Sequence, residues 1–426
     1  MRFPAVTLMT GILVLLLTPL QATSQSGSPS SGMGHDGTRF EGVLQRLDEE
    51  GQLVVNREGQ RRVIQAGQLV YWGKLADARE GAWLLTNQGS RIVANLTAWS
   101  EGQVRVESRA WQPGTIPVAS LRAVILQLPA SVARQDSLLH RVQQHAGEDD
   151  LVFLQGGDIL RGGMLGMSPN KEILPVIRIR IAGRAEEVRV PLSRVQAVAF
   201  RRASSETRGN TSAHWVVGFR DGSRLAVESL AQQENAIRCL LEEGLELVRR
   251  PARAGQAWQD VVYLRPLDNG TVYLSDREPL GYKHIPFLEA SWPYHMDRSV
   301  TGGRLAVAGV AYEKGIGMHS TSRLAFEVPE NAGSFQAEIA LDDSAGRRGS
   351  VVFLVYCQKA VEEENSGGWE ALFQSEVVRA GELPQQVRVP LEGIRRLALL
   401  VQHADRGDVR DHANWLHARF TIKPVQ

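Results

Sequence analysis

The chain has 426 residues, 43% of them hydrophobic and 22% charged, with a formal net charge of +1. That length suits two to four domains with sizeable cores, and the near-neutral balance gives no electrostatic reason to expect nucleic acid or an acidic membrane surface as partner. Two cysteines, Cys239 and Cys357, exclude a disulfide-rich scaffold and any CxxC metal motif; both are expected as buried free thiols.

The first residues carry a targeting pattern. Arg2 is followed by the mostly apolar run Val6–Leu17 and by small residues at Ala22 and Ser24. This predicts a signal peptide over residues 1–24, because the apolar core is short for a spanning helix. The expected location is secreted or periplasmic, in the cell envelope, with no integral membrane span after cleavage. Residues 25–39 are rich in Ser and Gly and read as a flexible tether.

From residue 40 the chain alternates short apolar runs with Gly, Asn and Asp turns, predicting β-rich repeats over 40–135 and 151–250. Three segments resemble one another: Trp83–Leu96, Leu151–Leu165 and Trp215–Leu230, each a strand, a Gly-Ser or Gly-Asp turn and a second strand. The first two share a later segment, Ile116–Val124 against Val190–Val198, matching Pro117 with Pro191. Small β-barrel or β-roll units follow from this, each closed at an edge by the strand that the proline begins. Between copies, Val132, Leu138, Leu139 and Val142 fall at helical spacings, predicting a helical linker over 136–150. The segment "LAQQENAIRCLLEEGLELV" fits either helix or strand. "GGDILRGG" reads as a hairpin, since no lysine-serine follows it as in a phosphate loop. The repeats show no clustered nucleophiles or carboxylate pairs, so their expected role is spacer or protein-binding platform.

A boundary at Arg249–Asp260 opens a C-terminal domain over 261–426. The alternations Leu324, Phe326, Val328 and Phe335, Ala337, Ile339, Leu341 predict strands with one wet face, and the run Val351–Tyr356 a strand buried on both. Together they predict the centre of a β-sandwich, entered through a glycine turn at Gly315 and Gly317. Polar residues gather beside the turns: His319, Asp342, Asp343, Asp408, Asp411, His412, Asn414 and Trp415.

Four elements in order, "YLSD", "YEKGIGMHS", "LDDSAGRRGSVVF" and "DHANWLHARF", resemble the NPCBM family of carbohydrate-binding modules over roughly Tyr273–Ile422. The resemblance implies a jelly-roll-like β-sandwich of the galactose-binding type that binds sugars, with calcium in some relatives. The expected fold is therefore all-β: small barrel or roll repeats, then this sandwich. Sugar recognition needs an aromatic face and fixed polar groups. Trp415 beside Asp411, His412 and Asn414, with His319, would supply both; alternatively Trp415 is core and His319 caps a turn. Asp342 and Asp343 either bind calcium or form an Asx turn paired with Arg347 or Arg348.

The function these observations favour is an exported, non-catalytic carbohydrate-binding protein. Its partners are an oligo- or polysaccharide and a protein bound through the repeats. Two rivals stay open: an envelope scaffold whose sandwich no longer binds sugar, and a glycoside hydrolase with a site among the repeats.

Overall fold

The computed structural model describes residues 30–423 except 49, 78–80, 101, 169–174, 184–185, 203–212, 242–243, 252–255, 268, 287–290 and 360–367. The expected signal peptide lies outside the described residues. Four copies of one five-stranded unit come first. The first holds β1 (Ser30–Gly34), β2 (Arg39–Leu47), β3 (Gln52–Arg57), β4 (Gln60–Gln65) and β5 (Leu69–Gly73). The second holds β6 (Ala82–Thr86), β7 (Arg91–Ser100), β8 (Gln103–Glu107), β9 (Gly114–Pro117) and β10 (Leu121–Ile125). The third holds β11 (Asp150–Leu154), β12 (Ile159–Ser168), β13 (Val176–Ile181), β14 (Glu187–Pro191) and β15 (Val195–Ala199). The fourth holds β16 (Trp215–Phe219), β17 (Arg224–Gln233), β18 (Ala236–Leu241), β19 (Glu246–Arg249) and β20 (Val261–Pro266).

In every copy the fifth strand returns to pair with the first, which closes the sheet into a small barrel. A 3-10 turn makes the corner before it. Pro117 and Pro191 precede two of these corners with φ of −59° and −54°, near the value their rings impose, which accounts for the aligned prolines. The three hairpins matched in the sequence are β6–β7, β11–β12 and β16–β17, as expected.

Three expectations need correction. The tether is strand from Ser30 onward: β1 pairs β2 on one side and β5 on the other. The strands after the prolines are not edges, because β10 pairs both β6 and β15. Nor does the C-terminal domain begin at 261, since β20 pairs β16 and β5 and belongs to the barrels. The last two share a reason: β5 pairs with β20, and β10 with β15, so the fifth strands join the barrels in pairs.

The helix α1 (Val132–Gln144) starts at Ser131, whose side chain accepts the Arg134 N–H. Leu138 and Val142 pack on Trp83, Ala123, Phe153 and Ala199, so the helix covers the β10–β15 seam. The ambiguous segment after Leu230 is strand, in β17, β18 and β19. Cys239 and Cys357 are buried and free. No helix among the described residues is long and apolar enough to cross a membrane.

The sandwich strands are β21 (Thr271–Tyr273), β22 (Gly281–His284), β23 (His295–Met296), β24 (Leu305–Val307), β25 (Val310–Tyr312), β26 (Gly315–His319) and β27 (Ser322–Glu327). They continue with β28 (Ala332–Leu341), β29 (Ser350–Lys359), β30 (Glu370–Gln374), β31 (Val378–Arg379), β32 (Gln385–Pro390), β33 (Ile394–His403) and β34 (His412–Ile422). One sheet runs β23-β26-β34-β28-β32 with β21 beside β34; the other runs β22-β27-β33-β29-β30 with β31 beside β29. Leu324, Phe326, Phe335, Ile339, Phe353 and Val355 fill the space between them, as the alternation predicts.

The barrels dock on the outer face of the β34 sheet. Arg39 of the first barrel pairs with the buried Glu338, and Gln336 Nε2 donates to the His35 carbonyl at 3.1 Å. From the second barrel and its helix, Asp136 accepts from Arg304 Nε at 3.1 Å. Glu313 accepts from Tyr263 and Arg265 of the fourth barrel and pairs with its Arg224. β34 is therefore buried on both faces, with Trp415 and Phe420 inward and His417 and Arg419 toward the first barrel.

Candidate functional site

The register of β26 on β34 places His319 opposite His412. The glycines at 315 and 317 do not form the expected turn but lie in β26. A Cβ on Gly317 would stand 2.4 Å from the Arg298 carbonyl and the Val300 nitrogen, so glycine alone lets this strand run under the preceding loop. That close passage brings the loop's Trp292 over the end of the strand.

Trp292 lies flat on His319, ring centroids 4.7 Å apart and planes 6° from parallel, and it remains half-exposed. His284 fixes the arrangement from below. Its Nδ1 accepts the Trp292 backbone N–H at 3.2 Å and its Nε2 therefore donates to the Ser320 carbonyl at 3.1 Å. His319 Nδ1 donates to the same carbonyl at 2.8 Å, leaving its Nε2 as an acceptor. His412 sits 6.0 Å from His319 and 5.9 Å from Trp292, its Nδ1 hydrogen-bonded to Ser344 Oγ at 2.9 Å. Neither Nε2 of His319 nor that of His412 has a hydrogen-bond partner among the described residues. Burial lowers the pKa of both rings, that of His412 to about 4, so both are neutral at pH 7.

The other expected contacts are behind this patch. Trp415 is fully buried between the sheets, edge-on to Phe353 at 5.0 Å, because its place in the alternation of β34 points it inward. It offers no face to a sugar. Asn414 points to the opposite face, where its Nδ2 donates to Asp342 at 2.8 Å. Asp411 is wholly buried: it accepts from Ser320 Oγ at 2.6 Å and from the Ser350 N–H at 2.9 Å, and burial pushes its carboxyl up to about 6. It braces the turn that carries His319.

Asp342 and Asp343 resolve toward the Asx-turn alternative, without the arginine partners. Asp342 caps its own turn by accepting the Ser344 N–H at 3.0 Å, and its other oxygen accepts the Ala306 N–H at 3.0 Å. Asp343 accepts the N–H groups of Ala308 and Gly309 at 2.8 and 2.9 Å. Both carboxylates thus clasp the β24–β25 hairpin by accepting its N–H groups. No group of three or more His, Cys, Asp or Glu among the described residues could hold a metal ion. Asp405 pairs with Arg379 at 2.6 Å.

Sequence reasoning missed Trp292 and His284. The available signal was the aromatic segment "SWPY", isolated between strands with no periodicity to place it in a core.

Residues 270–421 match the NPCBM/NEW2 domain family model. Over 125 residues, 28% of this chain, the sequence is 35% identical to alpha-1,3-galactosidase B of Akkermansia muciniphila, and the match spans 14% of that protein. The chain thus covers a small part of this curated relative. A CBM51 module from Clostridium perfringens GH95, solved with methyl-galactose, is 24% identical with a TM-score of 0.30, over 35% of this chain and 99% of that one. The CBM51-2 and INT domains of Clostridium perfringens ZmpB, solved with GlcNAc, are 22% identical with a TM-score of 0.30, over 46% and 41%.

Proposed function

We propose that this is an exported carbohydrate-binding protein, without catalysis of its own, whose sandwich holds a galactose-type glycan at Trp292, His319 and His412. One observation carries the reading: a half-exposed indole stacked on a neutral imidazole, beside two ring nitrogens with no partner among the described residues. The indole suits the C–H face of a pyranose, and the two Nε2 atoms suit its hydroxyls. The domain match and the galactosidase relative support sugar as the ligand class. Asp411 and Asn414 support the site from behind. The N-terminal signal pattern supports export.

The absence of catalysis rests on how the barrels use their acids. Asp136 is bound by Arg304, Asp150 accepts the N–H groups of Met164 and Arg201, and Asp221 is paired with Arg249. Groups held this way serve the fold, whereas a glycosidase needs two carboxyls facing across a cleft. The barrels are then a rigid platform for the sandwich and for a protein partner.

Titration calorimetry of the whole protein with galactose-terminated and other oligosaccharides tests the reading. Heat with galactosides that disappears in Trp292→Ala supports it. No heat with any glycan, with or without calcium, favours the scaffold alternative instead.

A further inference from the structure

A cavity of about 250 Å³ lies where the first and fourth barrels meet the sandwich, lined by none of Trp292, His319 and His412 and walled by the β24–β25 hairpin. Its aromatic wall is a stack. His417 lies 4.5 Å from Tyr71 at 14°, and Tyr312 stands edge-on to His417 at 5.5 Å, with no second ring against it among the described residues. Lys74 and Arg39 line the barrel side.

Charge around the cavity is unbalanced. Arg39, Lys74, Arg224 and Arg265 stand against three carboxylates, Glu313, Glu338 and, on the hairpin side, Asp343. Glu313 is already bound by Arg224 and Arg265, and Arg39 by Glu338. Lys74 has no ion-pair partner among the described residues. Several polar atoms are also left over. His417 Nδ1, on a residue only 3% exposed, has no hydrogen-bond partner among the described residues, while the hydroxyls of the half-buried Tyr71 and Tyr312 keep solvent contact and stay open to a ligand. A buried polar group without a partner costs about 1–3 kcal/mol, so the wall is built for something that supplies one. Burial keeps the Tyr312 hydroxyl protonated, its pKa pushed up to about 12, so it is a donor at neutral pH.

We infer that this seam is a second binding site, for a single acidic sugar ring of the hexuronate class. The carboxylate meets Lys74 and Arg39, the ring lies against Tyr312, and its hydroxyls meet the tyrosine hydroxyls and His417. Size and charge select this class together. The cavity falls just below the usual range of ligand pockets, roughly 300–1,000 Å³, which admits one ring but not a chain of them. A neutral hexose makes no ion pair with Lys74, and an inorganic anion leaves the aromatic wall without a contact. The inference does not depend on the Trp292 site.

Calorimetry or ligand-observed NMR of the full chain, with glucuronate, galacturonate, glucose, galactose and inorganic phosphate as probes, decides it. One or both uronates bind; Lys74→Ala and Tyr312→Phe each weaken that binding about ten-fold, the loss of one charge-assisted or buried hydrogen bond. Lys74 is exposed on the rim, and Tyr312→Phe keeps the ring, so both variants fold. Trp292→Ala leaves uronate binding unchanged, which separates this site from the galactoside site. No uronate binding at ~10 mM overturns the proposal. So does glucose binding as tightly as glucuronate, phosphate binding equally well and indifferent to Tyr312→Phe, or uronate binding that vanishes with Trp292.

Discussion

Arg265 of the fourth barrel grips Glu313 of the sandwich with two hydrogen bonds, Nε at 2.8 Å and Nη2 at 2.9 Å, and both residues are buried. Arg224 pairs with the same carboxylate, so one acid neutralises two guanidinium groups at the seam. Together they hold its pKa well below the ordinary carboxylate range. Glu313→Gln therefore leaves the buried Arg265 and the half-buried Arg224 without their counter-ion, a change of about 3–5 kcal/mol. The expected result is a marked fall in the urea midpoint, with new protease cleavage between Pro266 and Thr271, where the barrels give way to the sandwich. An unchanged midpoint shows that the seam contributes nothing to stability.

The two tryptophans nearest the site separate binding from folding. Trp292→Ala removes a half-exposed ring and is expected to abolish galactoside binding while the melting temperature moves by only a few degrees. Trp415→Ala opens a cavity between the sheets and costs about 3–5 kcal/mol. Thermal melts and binding isotherms on both variants make the test. Retained binding in a folded Trp292→Ala removes the proposed site.

What the sequence revealed follows from how local each signal is. Leu324, Phe326, Phe335 and Ile339 alternate, and alternation alone assigns them to the interior of a sandwich. The same rule applied to β34 turns Trp415 inward, although its polar neighbours Asp411, His412 and Asn414 drew it into the expected site. Asp411 and Asn414 are buried too, bonded to Ser320, Ser350 and Asp342, contacts no local pattern reports. Trp292 gave no period at all and meets His319 only through the pairing of β23 with β26. Asp342 and Asp343 stayed open between a cation site and an Asx turn, since a pair of acids at a strand end suits either use. Their choice depends on a hairpin more than thirty residues upstream.

Asp343→Ala frees the Ala308 and Gly309 N–H groups and loosens the β24–β25 hairpin. Faster hydrogen exchange at those two amides is expected, with a global cost of about 1–3 kcal/mol for hydrogen bonds to a charged group. Because both carboxylates of the corner already face N–H donors, calcium is expected to leave the melting temperature of the native protein unchanged. A calcium-dependent rise that Asp343→Ala abolishes would restore the cation reading.

Acid stability should bear the mark of the buried imidazoles. Burial, helped by Arg419, lowers His417 to about 3, against about 6.5 for an unfolded imidazole. Above pH 6.5 neither state holds the proton. Between 6.5 and about 3 the unfolded chain binds it and the native chain does not, so stability falls as pH falls. His412 acts likewise down to about 4. Asp411 opposes them: with its carboxyl at about 6, the native state takes its proton first, which adds stability as pH falls from about 6 toward the unfolded value near 3.9. Asn tolerates the positive φ of 49° at position 417. The difference between native protein and His417→Asn, measured by urea midpoints, is therefore expected to be flat above pH 6.5 and to shrink below it. A difference independent of pH shows that the ring does not titrate in this window.

The first strand carries the last prediction, because its sequence, "SSGMG", looks least like structure. A Cβ on Gly32 would lie 2.4 Å from the Phe40 ring, so the aromatic of β2 packs directly on bare backbone. Met33 is 2% exposed and packs with Val70 and Tyr273, tying the first barrel to the sandwich. If residues 25–39 were a tether, Gly32→Val and removal of everything before Gly34 would both be silent. As a strand bonded on two sides, β1 predicts otherwise. Gly32→Val must displace Phe40 or the strand, an overpacking cost of about 1–3 kcal/mol. Truncation leaves the β2 and β5 edges unpaired, and unpaired edges recruit other chains. A lowered melting temperature for the substitution and concentration-dependent association of the truncated chain in sedimentation are the expected results. Native stability in both returns these residues to the role of a linker.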